Sequence, residues 1–349
     1  MADLAVPCDS VVLLRLIYGA VATSGIIKNP DQINVRQQFK ITDELLSNHQ
    51  FRFPHNLQIP FWQFIETYSN DPCVGLHLSE HLPSYRGQVV EYFFYSSRTF
   101  GKALEKAARF YPIISDAIRL EFIKGDAETE IKIHTQLDEQ KYLRHFVECL
   151  VKGMCDFFGN VLEEPFKASR ICFSHDCYGD ITEYQRVFNC DVEFNAPCNS
   201  IFFDSGLLNV TSPHAEPELA KLHEVHAVSQ LQRLMRTDLI RQLADFFANH
   251  ITDQNINLDG AAEYLGLSVR QLRQELSEAG TSFNQTLAEY RCKNAKRMLA
   301  DESIPIDDVV WKTGFSEPST FYRAFKRWTG LTPLEYRKRK QRQNTAGRA

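Results

Sequence analysis

The 349-residue chain is 44% hydrophobic and 24% charged, a globular composition that excludes wholesale disorder, and its length predicts two compact units rather than one. A net charge of −5 at pH 7 excludes a uniformly basic nucleic-acid binder, but it averages two unlike parts. Residues 251–349 hold sixteen Lys and Arg against twelve Asp and Glu, giving +4, and the residues before them hold twenty-three against thirty-two, giving −9.

From Ser10 to about Glu80 the pattern is helical, with Val11, Leu14, Ile17 and Tyr18 at helical spacing and breaks at Pro30, Pro54, Pro60, Pro72 and Pro83. The apolar stretch from Val11 to Ala22 is interrupted by Arg15 and too short to span a bilayer, so no membrane association is predicted. Between Gln88 and Val210 helices alternate with short strands. Gly101–Ile114, Tyr142–Phe158 and Ile181–Phe188 read as helices. Ile118–Ile123 and Glu130–Thr135 read as a hairpin around Gly125 and Asp126, and Arg170–Ser174, Val192–Phe194 and Ser200–Phe203 as further strands. The prediction is a mixed α/β (α+β) regulatory domain over residues 1–215.

Nine cysteines, an odd number with no C-x-x-C spacing and no secretory leader, read as buried reduced thiols in a cytoplasmic protein, against a metal or disulfide reading of Cys172 with Cys177 or Cys149 with Cys155. His77 with His81, and His223 with His226, have the spacing of metal-ligand pairs, but no third ligand accompanies either, and no cofactor is predicted. His175–Asp176 invites a catalytic reading that no nucleophile supports, and the chain is predicted not to be an enzyme. Of twenty-five Phe residues twenty-one precede position 250, which suits an apolar ligand pocket and an ordinary core alike.

Glu216 to Asn249 lacks Gly, has Pro217 at its start, and carries Leu219, Leu222, Val225, Leu231, Leu234, Leu239 and Leu243 as an apolar stripe. Two readings stand: a core helix pair, or one helix over 216–250 that dimerises the regulatory half or links it onward. Asn249–Asn257 reads as a short linker.

The C-terminal part, 251–340, contains a repeat. Ala262-Glu263-Tyr264-Leu265-Gly266-Leu267-Ser268 registers with Val310-Trp311-Lys312-Thr313-Gly314-Phe315-Ser316. In each, a glycine supplies the positive φ that ends a first helix, and a serine follows as N-cap of the next. Gln271 makes a capping box with Ser268, and Pro318 suits the start of the second helix. Leu272 and Leu276 in one copy, and Phe321 and Phe325 in the other with the frame slipped by one residue, form the packed face.

The free faces then present Arg270, Arg273 and Gln274, and Ser319, Thr320, Arg323 and Lys326 around Tyr322. Arg can bond guanine and Gln adenine in bidentate fashion, the chemistry of direct base reading in double-stranded DNA. The alternatives are solvated charge for Arg270, Arg273 and Gln274, and capping or packing for Ser319 and Thr320. Ser282–Ala300 reads as a helix joining the copies, an all-α domain of two helix-turn-helix units on one rod. Trp311 and Trp328 read as core. Lys326 and Arg337–Lys340 suit phosphates, and 341–349 reads as a flexible basic tail.

These residues resemble the AraC/XylS family of bacterial transcription regulators, through LDGAAEYLGLSVRQLRQEL, Gly280, Arg291, AKRMLA and GFSEPSTFYRAFKRWTGLTPLEYR. More weakly, Phe51–Leu208, with Phe173-Ser174-His175 and Phe202-Phe203-Asp204, resembles that family's arabinose-binding and dimerisation module. The resemblance implies a sequence-specific regulator that acts as an activator and as a homodimer. It also implies RNA polymerase as a partner and a small-molecule effector, which in related regulators is an amino acid, a fatty acid or another metabolite. It places Arg270, Arg273 and Gln274, with Ser319, Thr320 and Arg323, at base-facing positions. Pro318 stands where many members carry a polar residue, so the second unit is expected to anchor more than it specifies. The competing class is an enzyme or small-molecule-binding protein fused to a DNA-binding tail. A DNA-repair methyltransferase of that kind needs a Pro-Cys-His-Arg-type motif, and the nearest approach here is Pro197-Cys198-Asn199.

Overall fold

The computed structural model describes residues 7–28, 35–136, 141–252 and 256–346, with the backbone alone for 342–346. It divides into two compact units, Val6–Leu231 and the chain from Gln232 onward. Among the described residues no helix is long and apolar enough to cross a membrane.

The first unit is the predicted mixture of helices and sheet. Its helices are α1 (Val11–Thr23), α2 (Asp43–Ser47), α3 (Gln58–Ser69), α4 (Val74–Ser79), α5 (Val89–Ser96), α6 (Phe100–Phe110), α7 (Leu143–Leu162) and α8 (Ile181–Phe188). A five-stranded sheet runs in the order β3 (Ile118–Lys124), β4 (Glu128–Thr135), β7 (Asn199–Asp204), β5 (Ala168–Cys172), β6 (Asp191–Glu193). Only β5 and β6 are parallel, as two strands joined through a helix can be. The β3–β4 hairpin closes where predicted: the Gly125 N–H donates to Glu128 O at 3.1 Å, and a Cβ on Gly125 would stand 2.4 Å from that oxygen.

Sequence reading misses one pairing, between β1 (Cys8–Ser10) and β2 (Arg52–Pro54). Both strands are three residues long, too short for a period to show. Tertiary contacts hold them. Asp9 is fully buried, with His55 Nδ1 at 2.9 Å, Gln58 Nε2 at 3.0 Å and Ser115 Oγ at 2.6 Å from its carboxylate. A buried carboxylate is tolerated only with such partners.

Glu216–Asn249 resolves into one continuous helix, α9 (Pro217–His250), rather than a helix pair, since nothing between its ends breaks it. Leu219, Leu222 and Val225 on it are 48%, 63% and 63% exposed, so this part of the apolar stripe is not core.

Among the described residues all nine cysteines are free, and Cys177 is exposed where burial is predicted. Burial pushes the thiols of Cys73, Cys172 and Cys190 up to about 11, which keeps them protonated and poorly nucleophilic near neutrality.

Candidate nucleic-acid interface

The second unit is built from two small cores along one rod. The rod is α12 (Phe283–Leu299), seventeen residues and about 25 Å long at 1.5 Å per residue. Its first half gives Phe283 and Leu287 to a core with Leu239, Phe247, Leu272 and Leu276. Its second half gives Ala295 and Leu299 to a core with Val309, Val310, Phe321 and Phe325. One helix therefore positions both helix-turn-helix units.

In the first helix-turn-helix unit Asn257 caps α10 (Leu258–Tyr264), and Gly266 at φ +67° turns the chain back on itself, with Leu267 N–H donating to Ala262 O at 2.9 Å. Ser268 then caps α11 (Val269–Glu278). Its Oγ accepts from Gln271 N–H at 3.2 Å, while its own N–H donates to Gln271 Oε1 at 3.0 Å, the capping box that the sequence predicts. Ser268→Ala is expected to cost about 1 kcal/mol of stability, read by denaturant melting of the full chain. Leu272 and Leu276 are buried, and Arg270, Arg273 and Gln274 are exposed. Gln274 Nε2 donates to Glu278 Oε1 at 2.9 Å, a bond that reading adenine would have to break.

The second unit differs at the cap. Ser316 is not the N-cap of α14 (Pro318–Thr329); Glu317 is, at φ −135° and ψ 131°, with no side-chain cap bond. Proline drives the residue before it into extended conformation, so the helix starts at Pro318. Counted from the observed caps, Leu272 and Leu276 match Phe321 and Phe325 without any slip. The same count places Ser319, Tyr322 and Arg323 where the first unit has Arg270, Arg273 and Gln274. Tyr322, which the sequence sets in the middle of this face without a base-reading role, is half-buried, and the count from Glu317 is what aligns it with Arg273. Ser319, Thr320, Arg323 and Lys326 are exposed.

Arg291 ties the rod to the second turn. Its Nη2 donates to Gly314 O at 3.0 Å, and its guanidinium lies 4.8 Å from the Phe315 ring centroid. Arg291 and Arg323 also line a groove with Thr320, Arg327 and Trp328, open beside α14. Among the described residues Arg270, Arg273, Arg323 and Lys326 make no salt bridge within the chain, which leaves their charge for an outside anion.

Two aromatic and basic assignments change. Trp311, expected in the core, is 63% exposed: α13 (Ile306–Lys312) turns Val309 and Val310 inward, and the next position rotates out. Trp328 is half-buried against the second core. Arg337, read as a phosphate contact, is half-buried and bonded within the chain. Its Nη2 donates to Ile304 O at 2.7 Å and its Nε to Leu299 O at 3.3 Å, so it satisfies the carbonyl of the rod's last residue and one in the loop that follows. The final helix, α15 (Pro333–Ala346), runs into the segment read as a flexible tail, as its Arg, Lys and Gln residues are good helix formers.

The remaining candidates lie in the first unit and do not converge. His77 lies beside Asp71 and Glu183, His81 is exposed, His223 stacks on Tyr92 and His226 meets Gln230. His175 Nδ1 lies 2.8 Å from Asp176 O, a backbone contact, and burial lowers its pKa.

The family model for the N-terminal arabinose-binding domain of AraC transcription regulators matches residues 31–211, and a helix-turn-helix domain matches 261–339. The chain is 26% identical over 268 residues to the ornithine utilization regulator of Pseudomonas aeruginosa, covering 76% of this chain and 79% of that protein. It is 24% identical over 288 residues to the HTH-type transcriptional regulator VqsM of the same organism, covering 79% and 86%. The crystal structure of the transcriptional regulator CdpR from Pseudomonas aeruginosa aligns over 88% of this chain and 97% of that one, at 21% identity and a TM-score of 0.43.

Proposed function

We propose, for a chain that belongs to the AraC family of transcription regulators and is a DNA-binding regulator with an N-terminal domain of the effector-binding class, that it works as an effector-responsive activator. In this reading α11 and α14 enter neighbouring major grooves, and the bound protein places RNA polymerase at a promoter in the cytoplasm. The observation that carries the reading is the pair of exposed faces, Arg270, Arg273 and Gln274 on one helix and Ser319, Thr320 and Arg323 on the other, held by one rod. Lys326 extends the second face toward the phosphate backbone. Ser268 contributes through its cap, by fixing where α11 begins.

The acting form is a homodimer. Leu219, Leu222 and Val225 recur at helical spacing on α9 and stand in solvent, an apolar strip that a second copy of the same helix would cover.

Selection of bound duplexes from a random pool tests the reading. The expected result is a consensus whose footprint has two protected major-groove patches about one helical turn, roughly 10 base pairs, apart within each half-site. Equal retention of the selected and scrambled duplexes at physiological salt would overturn it, because phosphate contacts alone give affinity without sequence preference.

A further inference from the structure

We infer that the first unit holds a compact, uncharged, predominantly apolar effector with one hydrogen-bonding oxygen, seated between its helices and the β3–β4 hairpin. The inference rests on the reading of this unit as the effector-binding domain. A cavity of about 160 Å³ lies there, walled by Leu13 and Ile17 of α1, Leu104 of α6, Phe122 and Ile131 of the hairpin, and Phe146 of α7. The cavity opens to solvent on one side, and its volume is that of an apolar site that takes up a single benzene-sized molecule.

The chemistry of the wall selects among ligand classes. No Lys, Arg or His is among the described residues that line it. The one carboxylate, Asp156, stands exposed at the rim and is already paired with Lys152. A carboxylate or ammonium taken inside would lose its hydration without a counter-charge, which costs far more than an apolar wall returns. A sugar, as the domain's family description would suggest, fares no better. Each hydroxyl left without a partner costs about 1–3 kcal/mol.

Ser84, Tyr85, Tyr111 and Asn160 bring polar groups to the wall, and among the described residues that line it Tyr85 stands apart. Tyr85 lines the cavity, and its hydroxyl is buried with no hydrogen-bond partner. That hydroxyl stays neutral, since burial raises its pKa well above the ordinary tyrosine value. A ligand oxygen that meets it relieves an unmade hydrogen bond, and so gains more than it would at a satisfied group.

Titration calorimetry of the full-length chain with toluene and with benzyl alcohol tests the assignment. Both are expected to bind, and benzoate, benzylamine and arabinose are expected not to. Tyr85→Phe should weaken benzyl alcohol by about tenfold and leave toluene within about twofold, the signature of one lost hydrogen bond. Ala108→Phe, which fills the cavity from its wall, should abolish both. Failure of wild type to bind toluene, tightest binding by a charged or sugar probe, equal effects of Tyr85→Phe on both ligands, or toluene binding that survives Ala108→Phe would each overturn it. DNA affinity of the same samples separates this inference from its premise. Probes that bind the cavity and leave DNA binding unchanged support the site and overturn its role as the effector site. Selective DNA binding with no probe binding overturns the site alone.

Discussion

Replacing Gly314 with alanine is expected to destabilise the DNA-binding unit by about 3–5 kcal/mol, while the equivalent change at Gly266 costs about 1 kcal/mol. The two glycines occupy matching places in the two turns, at φ +73° and +67°, so the left-handed backbone costs a Cβ nearly the same at each. Their surroundings differ. Around Gly266 no atom lies within 4 Å of the built Cβ, whereas at Gly314 the Cβ would stand 2.2 Å from Ile251 O and 3.1 Å from Arg291 Nη2. Arg291 can swing away, but a backbone carbonyl cannot do so without moving its segment. The clash also disturbs the Arg291 bond to Gly314 O, which joins the rod to the second turn. Hydrogen exchange of the full-length variants, followed on the amides of α12 and α14, reads both effects. Equal loss of protection in Gly314→Ala and Gly266→Ala would show that the backbone angle, and not the packing of Ile251, sets the cost.

Arg273→Ala is expected to weaken binding to the selected duplex by about 1–3 kcal/mol, roughly five- to 150-fold, and to relax the preference at one base position. Arg273 is exposed on α11 with no salt bridge among the described residues, so its removal leaves no buried partner behind and the folded unit should be as stable as before. The loss should therefore fall on the selected sequence, with random DNA weakened much less. Arg323→Ala makes the useful comparison: it stands opposite Gln274 in the cap-based register, on a helix that carries Lys326 nearby and lacks a side-chain cap. If the second unit mainly anchors, Arg323→Ala weakens selected and random DNA alike and lowers the salt slope by about one. An Arg273→Ala loss equal on both kinds of DNA would remove it from base reading.

The match between the Ser268 and Glu317 frames bears on how the two units share work. Tyr322 occupies in α14 the place that Arg273 holds in α11, and it is half-buried against the second core. A partly packed aromatic side chain has less freedom to reach a base edge than an exposed arginine, and its edge suits the thymine methyl better than guanine. Tyr322 therefore adds a second reason to expect the asymmetry that Pro318 suggests, one that depends on where the helix begins.

Several features were legible from residues alone because their causes are local. A glycine that must turn left-handed, a serine with glutamine three residues on, and leucines four apart act over a few bonds. The first helix-turn-helix unit, the hairpin at Gly125 and the mixed character of the N-terminal unit follow from such signals. What tertiary structure decided lies where distant segments meet. The β1–β2 pair exists because buried Asp9 finds His55, Gln58 and Ser115; Trp311 is exposed because Val309 and Val310 fill its core; Arg337 turns inward to carbonyls at the end of α12 and in the loop after it. Local propensity cannot foresee these, since each depends on which polar group or apolar surface arrives from elsewhere in the chain. The sequence by itself determined that there are two helix-turn-helix units and where each turn falls. Only the packed structure decided which glycine has a backbone carbonyl against it, which residue caps the second helix of the second helix-turn-helix unit, and that Tyr85 stands unpartnered at an apolar cavity.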